Sequence, residues 1–360
     1  MAWFIKGYHS GAMPTTEPLV SATNLIRDGN TLGADQISAA MRVIMSGSAS
    51  DDLIQDFLEN LATRTPTGEE LAGACAVMKE CVQRVDLPDP GSLLDTCGTG
   101  GAPKTFNVST AAGIVAAACG VRVAKHGNRS RTGRGSAEVL EQLGINIELT
   151  PDQQVRCLEE VGICFCFAPK HHKSVAHAMP ARKALKTPTI FNLLGPLTNP
   201  CSAGRQLLGV WDDVYVEPMA EALLSGGTTF SAVVHSLDGL DEISISAPTR
   251  ILYIKEGVIT EELIDPESLG LCLCGLDEVT ATTLDMAVEF IQESTVRGVR
   301  GGRRDMVVLN SGVGLFVAGR VGSVQEGVGL ANNTIDSGGV GVLLDRWVGI
   351  SNSNTPSTGR

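Results

Sequence analysis

Apolar residues in the first third of the chain recur every three or four positions, the spacing of one helix face. One face starts at Ile37 and ends at Gly47, and a second starts at Leu53, just after the potential N-cap Ser50. Thr67 and Glu70 then stand at capping-box spacing ahead of a third face. The pattern predicts three short helices and a helical domain over residues 20–88, with no evident chemistry of its own.

The hydrophobic pattern changes after residues 85–91, a linker by composition because it contains two prolines. Short continuous apolar runs then alternate with helix-like stretches, which is typical of a parallel sheet covered by helices. We therefore predict an α/β domain over residues 91–350, with a central mostly parallel sheet flanked by helices and a ligand at the strand ends. The runs expected to form strands are 92–94, 121–124, 163–167, 207–211 and 232–234. We expect the polar tail, residues 351–360, to be mobile.

Composition narrows the class of protein. At 360 residues the length favours two domains, and 43% hydrophobic with 19% charged residues excludes a disordered chain. The net charge of −12 argues against general nucleic-acid binding, which needs a basic face. It still allows a local basic pocket for a small anion.

The ten cysteines are scattered, without a Cys-x-x-Cys motif. The pairs at Cys164/Cys166 and Cys272/Cys274 could each supply half of a metal site, but free cysteines in buried strands are favoured. This usage fits a reducing cytoplasm. Residues 1–14 contain no apolar stretch of signal-peptide length, and no segment has ~20 consecutive apolar residues. We expect a cytoplasmic protein with no membrane partner.

A glycine-rich segment, Asp95-Thr-Cys-Gly-Thr-Gly-Gly101, follows the first predicted strand. Its glycines would let the backbone come close to a bulky anion. We expect Ser109 or Thr110 to cap the next helix, whose free N–H groups also favour phosphate. A tight strand–helix turn explains the glycines equally well, and the loop matches neither a Walker A motif nor Gly-x-Gly-x-x-Gly.

Residues 125–136 follow the second predicted strand and bring four cations and three hydroxyls together in an acidic chain. Such a loop suits an anion with several phosphate oxygens, and a solvated basic turn is the alternative.

Asp241 and Glu242 follow another strand and could bind Mg²⁺, although such a pair alone is more often a charged turn. The histidines at 171, 172 and 177 do not match a zinc pattern. Arg182 could bind a carboxylate, but the spacing of these histidines and Arg182 alone indicates a structural role.

Taken in order, these segments resemble the anthranilate phosphoribosyltransferases, from about residue 32 to about residue 344. The motifs that carry the resemblance are Gly-Thr-Gly-Gly, Asn-x-Ser-Thr, Lys-His-Gly-Asn-Arg, Gly-Ser-Ala-Glu-Val-Leu-Glu, Phe-Asn-Leu-Leu-Gly-Pro-Leu-x-Asn-Pro, Asp-Gly-Leu-Asp-Glu and Arg-Asp-x-Val-x-Leu-Asn. The resemblance implies a small helical domain, joined by helices near 180–200, beside the α/β domain. It also implies phosphoribosyl transfer from 5-phosphoribosyl 1-diphosphate to the amine of anthranilate in tryptophan biosynthesis.

The resemblance also implies roles for individual residues. The residues it assigns to phosphoribosyl diphosphate are Gly98, Thr99, Gly100, Gly101, Thr105, Asn107, Ser109, Thr110, Lys125 and Ser136. Those it assigns to anthranilate are Gly98, Asn128, His172, Arg182 and Pro196, and those it assigns to Mg²⁺ are Ser109, Asp241 and Glu242. Lys125, Asn128 and Arg182 would act by positioning and electrostatics. A homodimer through the helical domain is also implied.

The sequence departs from the family pattern in two loops. Ala102 stands where the family has Asp, and the loop after it is shorter; Thr132-Gly133 replaces a Ser pair, with Arg131 and Arg134 added. We hypothesise that Lys104 and the two added arginines take over part of the phosphate binding. The sequence pattern leaves two other functions to consider. Asp241-Glu242 and Arg182 argue against a pyrimidine-nucleoside phosphorylase, and the −12 charge argues against an inactive nucleic-acid-binding paralogue.

Overall fold

The computed structural model describes residues 15–103, 105–185 and 187–353. Its α-helices are α1 Glu17–Arg27, α2 Ala34–Met45, α3 Asp51–Leu61, α4 Gly68–Cys81, α5 Val108–Ala118, α6 Ser136–Gln142, α7 Pro151–Glu160, α8 Ala168–His171, α9 Met179–Ala184, α10 Ile190–Leu194, α11 Val216–Ser225, α12 Leu276–Val279, α13 Leu284–Ile291, α14 Gly302–Val317, α15 Val324–Asp336 and α16 Gly339–Ser351. Its strands are β1 Leu94–Gly98, β2 Val123–Gly127, β3 Ile163–Phe167, β4 Arg205–Gly209, β5 Phe230–Ser236, β6 Thr249–Lys255 and β7 Val258–Ile264. Shorter helical turns are the 3₁₀ segments Pro90–Ser92, Lys173–Ala178, Asp213–Tyr215 and Pro266–Leu269 and the π segment Gln292–Val296.

The N-terminal helices begin where the capping residues stand. The Ser50 hydroxyl accepts the Leu53 N–H at the start of α3, and Thr67 and Glu70 cap α4 reciprocally. Both predicted caps are confirmed. The prediction of three helices was wrong, because α1 precedes them. Its N-cap position, Thr16, makes no side-chain bond that would mark the start of a helix.

One seven-stranded sheet in the order β3-β2-β1-β4-β5-β6-β7 forms the centre of the α/β domain. Its first five strands are parallel, and β6 and β7 add an antiparallel hairpin. Neighbouring residues alternate between two cores: Leu207 faces the helices α5 and α14, whereas Leu208 faces the N-terminal helices. Because both faces are covered, the strands read as continuous apolar runs, and the predicted α/β architecture is confirmed.

The predicted strand at 92–94 was wrong, since β1 occupies Leu94–Gly98. The hydrophobic run ends at Leu94, but the strand continues through the polar residues Asp95 and Thr96, which are buried. The hairpin β6–β7 was not predicted. Strand β7 carries polar, exposed residues on both faces, so it has no apolar run.

Helices α9 and α10 join the N-terminal helices, packing against α3 and α4 respectively. Ala181 and Phe191 belong to the same core as the side chains of α1–α4. At the other end, Ser351 closes α16 and is buried, where its hydroxyl accepts the Asn146 N–H at 3.1 Å. Residues 354–360 of the predicted tail lie outside the described part of the chain.

All ten cysteines are free. Cys164 and Cys166 lie buried in β3, as predicted, and their sulfurs lie within 4.8 Å of each other and of the Cys201 sulfur. The pair Cys272 and Cys274 is exposed or half-buried outside any strand, so the buried-strand prediction was wrong there. In the ranges that the structure covers, no helix has the length and apolarity needed to cross a bilayer.

Candidate active site

The glycine-rich loop leaves the carboxyl end of β1 and is anchored to the end of β4. The Thr99 N–H donates to the Gly209 carbonyl at 2.9 Å, and the Thr99 hydroxyl accepts the Trp211 N–H at 3.2 Å. Gly100 and Gly101 have φ of +65° and +109°, a region that residues with a Cβ rarely adopt. The loop can therefore turn back over the Trp211 ring and leave its backbone open at the sheet edge.

Helix α5 starts next to this loop, but not as predicted. Asn107 occupies the N-cap position with φ +60°, and its side-chain amide donates to the Arg134 carbonyl at 3.1 Å. Ser109 and Thr110 lie in the first turn, so the prediction that one of them caps the helix was wrong. Asparagine tolerates the left-handed conformation better than other residues with a side chain, and here it connects the glycine loop to the basic loop.

Two neighbouring carboxylates converge on the start of α5. Glu242 accepts the Thr105 hydroxyl at 3.2 Å and the Ser109 N–H at 3.4 Å. A Cβ added to Gly98 would lie 3.1 Å from an Asp241 carboxylate oxygen, so Asp241 faces the end of β1. Burial, together with the charge of Asp241, raises the pKa of Glu242 to about 8.

This donor set fits a magnesium ion. Two carboxylates and the Ser109 hydroxyl supply hard oxygens, the ligands that Mg²⁺ prefers. Among the described contacts only neutral donors, the Thr105 hydroxyl and the Ser109 N–H, bond the Glu242 carboxylate, and no cation forms an ion pair with it. A divalent cation would relieve the repulsion between Asp241 and Glu242.

Lys125 lies in a different place from the predicted one. It belongs to β2, is only 2% exposed, and its ammonium group donates to the Thr96 carbonyl and to the Ser109 hydroxyl at 3.4 Å. The basic loop therefore begins after Gly127, and the Lys125 charge lies beneath the start of α5.

The basic loop itself is partly neutralised. Arg129 makes a two-bond ion pair with Glu141, at 2.6 and 2.8 Å, and so is not free for an anion. The Asn128 carbonyl accepts the hydroxyl of Ser136, the first residue of α6, at 3.4 Å. Arg131 is exposed, and Lys104 lies outside the described residues.

Arg182 in α9 has the surroundings of an anion receptor. Its guanidinium lies 5.1 Å from the centre of the Phe191 ring and donates weakly to the Met179 sulfur at 3.7 Å. Burial lowers the pKa of Arg182, and among the described residues no carboxylate lies within ion-pair distance. A bound carboxylate would supply the missing charge. None of the described contacts joins Arg182 directly to the glycine loop.

Two histidines, His126 at the end of β2 and the predicted site residue His172, lie against each other. The rings of His126 and His172 are 5.1 Å apart, and the Nε2 atom of each is buried without a partner. The Pro196 carbonyl accepts the Gln206 amide at 2.6 Å, which fixes the turn after α10.

The buried state of His172 predicts a loss of stability in acid. Burial lowers its pKa to about 4 from the usual 6.5, so the unfolded chain binds this proton first. The stability that the neutral His172 ring contributes is fully present above pH 6.5 and is lost as the pH falls towards 4. Between pH 7 and pH 5 the free energy of unfolding should fall for both proteins, and we expect the fall to be on the order of 1 kcal/mol smaller in His172→Gln than in the parent. Thermal unfolding at the two pH values measures the difference. The exposed His177→Gln should follow the parent curve, and an unchanged slope in His172→Gln would contradict the assignment.

Sequence reasoning gave no individual role to several residues of this region. Asp95 and Thr96, predicted to follow the first strand, are buried within β1, and Gly209 and Trp211 belong to the predicted strand 207–211. The signal that could have identified Gly209 is its place at the carboxyl end of a parallel strand, where backbones approach closely.

Comparison with known proteins gives a consistent result over both domains. Residues 90–340 match the model described as "Glycosyl transferase family, a/b domain", and residues 20–82 match "Glycosyl transferase family, helical bundle domain". The anthranilate phosphoribosyltransferase of Thioalkalivibrio sulfidiphilus is 43% identical over 324 residues, 89% of this chain and 95% of that protein. That of Acetivibrio thermocellus is 43% identical over 338 residues, 93% of this chain and 97% of that protein.

Solved structures agree with these matches. The crystal structure of anthranilate phosphoribosyltransferase from Thermus thermophilus superposes with a TM-score of 0.86 at 35% identity, covering 92% of this chain and 99% of that one. The Saccharomyces cerevisiae enzyme, solved in complex with PRPP and Mg, has a TM-score of 0.85 at 24% identity. It covers 94% of this chain and 99% of the yeast chain, and at this identity it supports the fold alone.

Proposed function

The chain belongs to the anthranilate phosphoribosyltransferase family, and from this we propose that it transfers the phosphoribosyl group of 5-phosphoribosyl 1-diphosphate to the amine of anthranilate. The products are N-(5-phosphoribosyl)anthranilate and diphosphate, and the step belongs to tryptophan biosynthesis. The observation that carries the proposal is the convergence of Thr105, Ser109 and Glu242 beside the glycine loop at the end of β1. Family membership counts against the two alternatives weighed above.

Phosphoribosyl diphosphate would occupy the strand ends between the glycine loop and α5. Backbone N–H groups at Gly98–Gly101 and the first turn of α5, with Ser109 and Thr110, offer donors to phosphate oxygens. The Thr110 hydroxyl is buried without a partner, which fits a donor that waits for a ligand. The Lys125 ammonium adds positive charge beneath the site.

The reaction breaks the bond between ribose C1 and the diphosphate oxygen, and the electron pair leaves with diphosphate. The nitrogen of anthranilate forms the new bond to C1, and its surplus proton passes to water. An aromatic amine is neutral at pH 7, so the nucleophile needs no strong base. The protein's task is therefore to stabilise the leaving charge and to align two substrates, with Asn128 and Arg182 holding anthranilate.

We propose that Ser109, Asp241 and Glu242 hold Mg²⁺ together with the diphosphate. When bound, Mg²⁺ neutralises charge on the diphosphate oxygens and so helps the leaving group depart. The Asp241 and Glu242 carboxylates would hold the ion at the end of β1. The Thr105 hydroxyl and the Ser109 N–H fix the Glu242 side chain.

The direct test is to incubate the protein with phosphoribosyl diphosphate, Mg²⁺ and anthranilate and to follow the loss of anthranilate fluorescence. Loss that depends on all three additions supports the proposal. Phosphorolysis of a pyrimidine nucleoside in inorganic phosphate, with no loss of anthranilate, would overturn it.

Arg182→Ala should raise the KM for anthranilate about 10- to 100-fold with little change in kcat. Hydrogen bonds to charged groups contribute about 1.5–3 kcal/mol, and this one forms equally in the ground and transition states. Steady-state kinetics at saturating phosphoribosyl diphosphate measure the effect, and the exposed neighbour Lys183→Ala is the control. A large fall in kcat at unchanged KM would contradict a role in binding the carboxylate.

We further propose that the protein is cytoplasmic and forms a homodimer. We place the boundary between its two domains near residues 88–91. The free cysteines fit a reducing compartment. The support for a dimer through the helical domain is the family to which the chain belongs. Sedimentation velocity measures the assembly, and a monomer at micromolar concentration would refute the dimer.

A further inference from the structure

Strands β1 and β2 separate just below the candidate site. They share one paired position, Leu94 with Val123, whereas β1 with β4 and β2 with β3 share five each. Beyond Leu94 the facing backbones need other partners, because buried peptide groups are costly when left unbonded. In this cleft, side chains supply them.

The Asp95 carboxylate fills the separation from the β1 side. One of its oxygens accepts the His126 N–H of β2 at 3.0 Å, and the other accepts the Asn199 side-chain amide at 2.8 Å. The same Asn199 nitrogen donates to the Ala124 carbonyl of β2 at 2.7 Å. Asp95 is completely buried, so these bonds replace the missing ladder between the two strands.

Lys125 fills the separation from the β2 side. Its ammonium group donates to the Thr96 carbonyl of β1, and it remains within 3.4 Å of the Ser109 hydroxyl. Burial raises the pKa of Asp95 to about 6 and lowers the pKa of Lys125, and each charge opposes the shift of the other. Among the described contacts no ion pair joins the two groups directly: the Thr96 carbonyl bonds Lys125 to β1, and the His126 N–H bonds Asp95 to β2.

Resting on the proposed function, we propose that Asp95 is a positioning residue for phosphoribosyl transfer. Its carboxylate accepts the His126 N–H and is linked through Asn199 to the Ala124 carbonyl, so it fixes the β2 backbone on both sides of Lys125 and thereby the cation beneath the phosphoribosyl diphosphate site. Asp95 touches no substrate. It acts through Lys125, and its position three residues before Gly98 places it below the glycine loop.

The test is a double-mutant cycle with Asp95→Asn and Lys125→Met. We expect Asp95→Asn to lower kcat/KM for phosphoribosyl diphosphate about 100-fold while the KM for anthranilate changes less than about 2-fold. In the Lys125→Met background, adding Asp95→Asn should lower kcat/KM for phosphoribosyl diphosphate by less than about 3-fold, because the ammonium group through which Asp95 acts is already absent. The proposal would be overturned if the losses in kcat/KM of the two single variants multiplied in the double variant, or if both KM values rose equally.

Val233→Ala controls for loss of stability alone. Val233 is buried in β5 of the same sheet, which β4 separates from the cleft between β1 and β2. We expect its thermal midpoint to fall while both KM values stay unchanged. If Asp95→Asn does not fold, Asn199→Ala, which removes one donor to Asp95, should show a smaller loss in the same kinetic parameter. An unchanged kcat/KM in that variant would count against the proposal.

Turnover by the unmodified protein separates this proposal from the proposed function. If the parent consumes no anthranilate, the proposed function fails. Calorimetric titration with phosphoribosyl diphosphate and Mg²⁺ then tests the role of Asp95. At least 10-fold weaker binding by Asp95→Asn supports it, and parent-like binding overturns it.

Discussion

Replacing Asp241 and Glu242 together by alanine is expected to reduce kcat at least about 1,000-fold at saturating Mg²⁺. Electrostatic stabilisation of a departing charge contributes several kcal/mol, and both proposed carboxylate ligands would be lost at once. Folding should survive, because truncation removes a buried carboxylate whose pKa is raised to about 8 by burial and by its charged neighbour. The measurement is single-turnover loss of anthranilate fluorescence across a Mg²⁺ titration.

Asp277→Ala/Glu278→Ala provides a matched control. It removes an adjacent Asp-Glu pair that is exposed at the start of α12, far along the chain from the candidate site. This variant should retain parent activity and the parent's Mg²⁺ dependence. Full activity of Asp241→Ala/Glu242→Ala in Mg²⁺ would remove the pair from the mechanism.

Gly209→Ala should reduce kcat/KM for phosphoribosyl diphosphate about 100-fold or more. A Cβ at this position would overlap the backbone carbonyl group of Asp241, and a backbone atom cannot rotate away as a side chain can. The carboxylate-bearing loop or the end of β4 must then move. The Gly209 carbonyl also accepts the Thr99 N–H, so the glycine loop would shift with it.

Kinetics, thermal unfolding and circular dichroism together would separate this effect from misfolding. Gly349→Ala is the control, since a Cβ there meets nothing within 4 Å and alanine favours a helix. The control should be fully active and at least as stable as the parent. A folded Gly209→Ala variant with parent kinetics would show that the Asp241 backbone adjusts without affecting the site.

Local signals in the sequence were sufficient where a structure depends on neighbouring residues. The caps at Ser50 and at Thr67 with Glu70 involve residues three positions apart, and β3 is an uninterrupted apolar run buried on both faces. These features were predicted correctly. The α/β architecture followed from the same runs.

Features that depend on distant partners could not be derived in this way. Asp95 and Lys125 are buried inside strands because residues about 30 and 100 positions away form hydrogen bonds with them, and a hydrophobicity pattern registers only their polarity. The contact of Thr105 and Ser109 with Glu242 spans more than 130 positions. Motif order indicated that these residues belong to one site, and only the fold gives their distances.

The packing of Trp211 under the glycine loop has a practical use. Its ring lies 3.2 Å from where a Cβ of Gly101 would stand, and it is paired with Tyr215 at 4.5 Å between ring centres. Trp347 is fully shielded in α16, away from this loop, and Trp3 lies outside the described residues. We therefore expect the indole emission of Trp211 to change when the loop is occupied, which would allow loading of the sugar diphosphate to be timed without an attached dye.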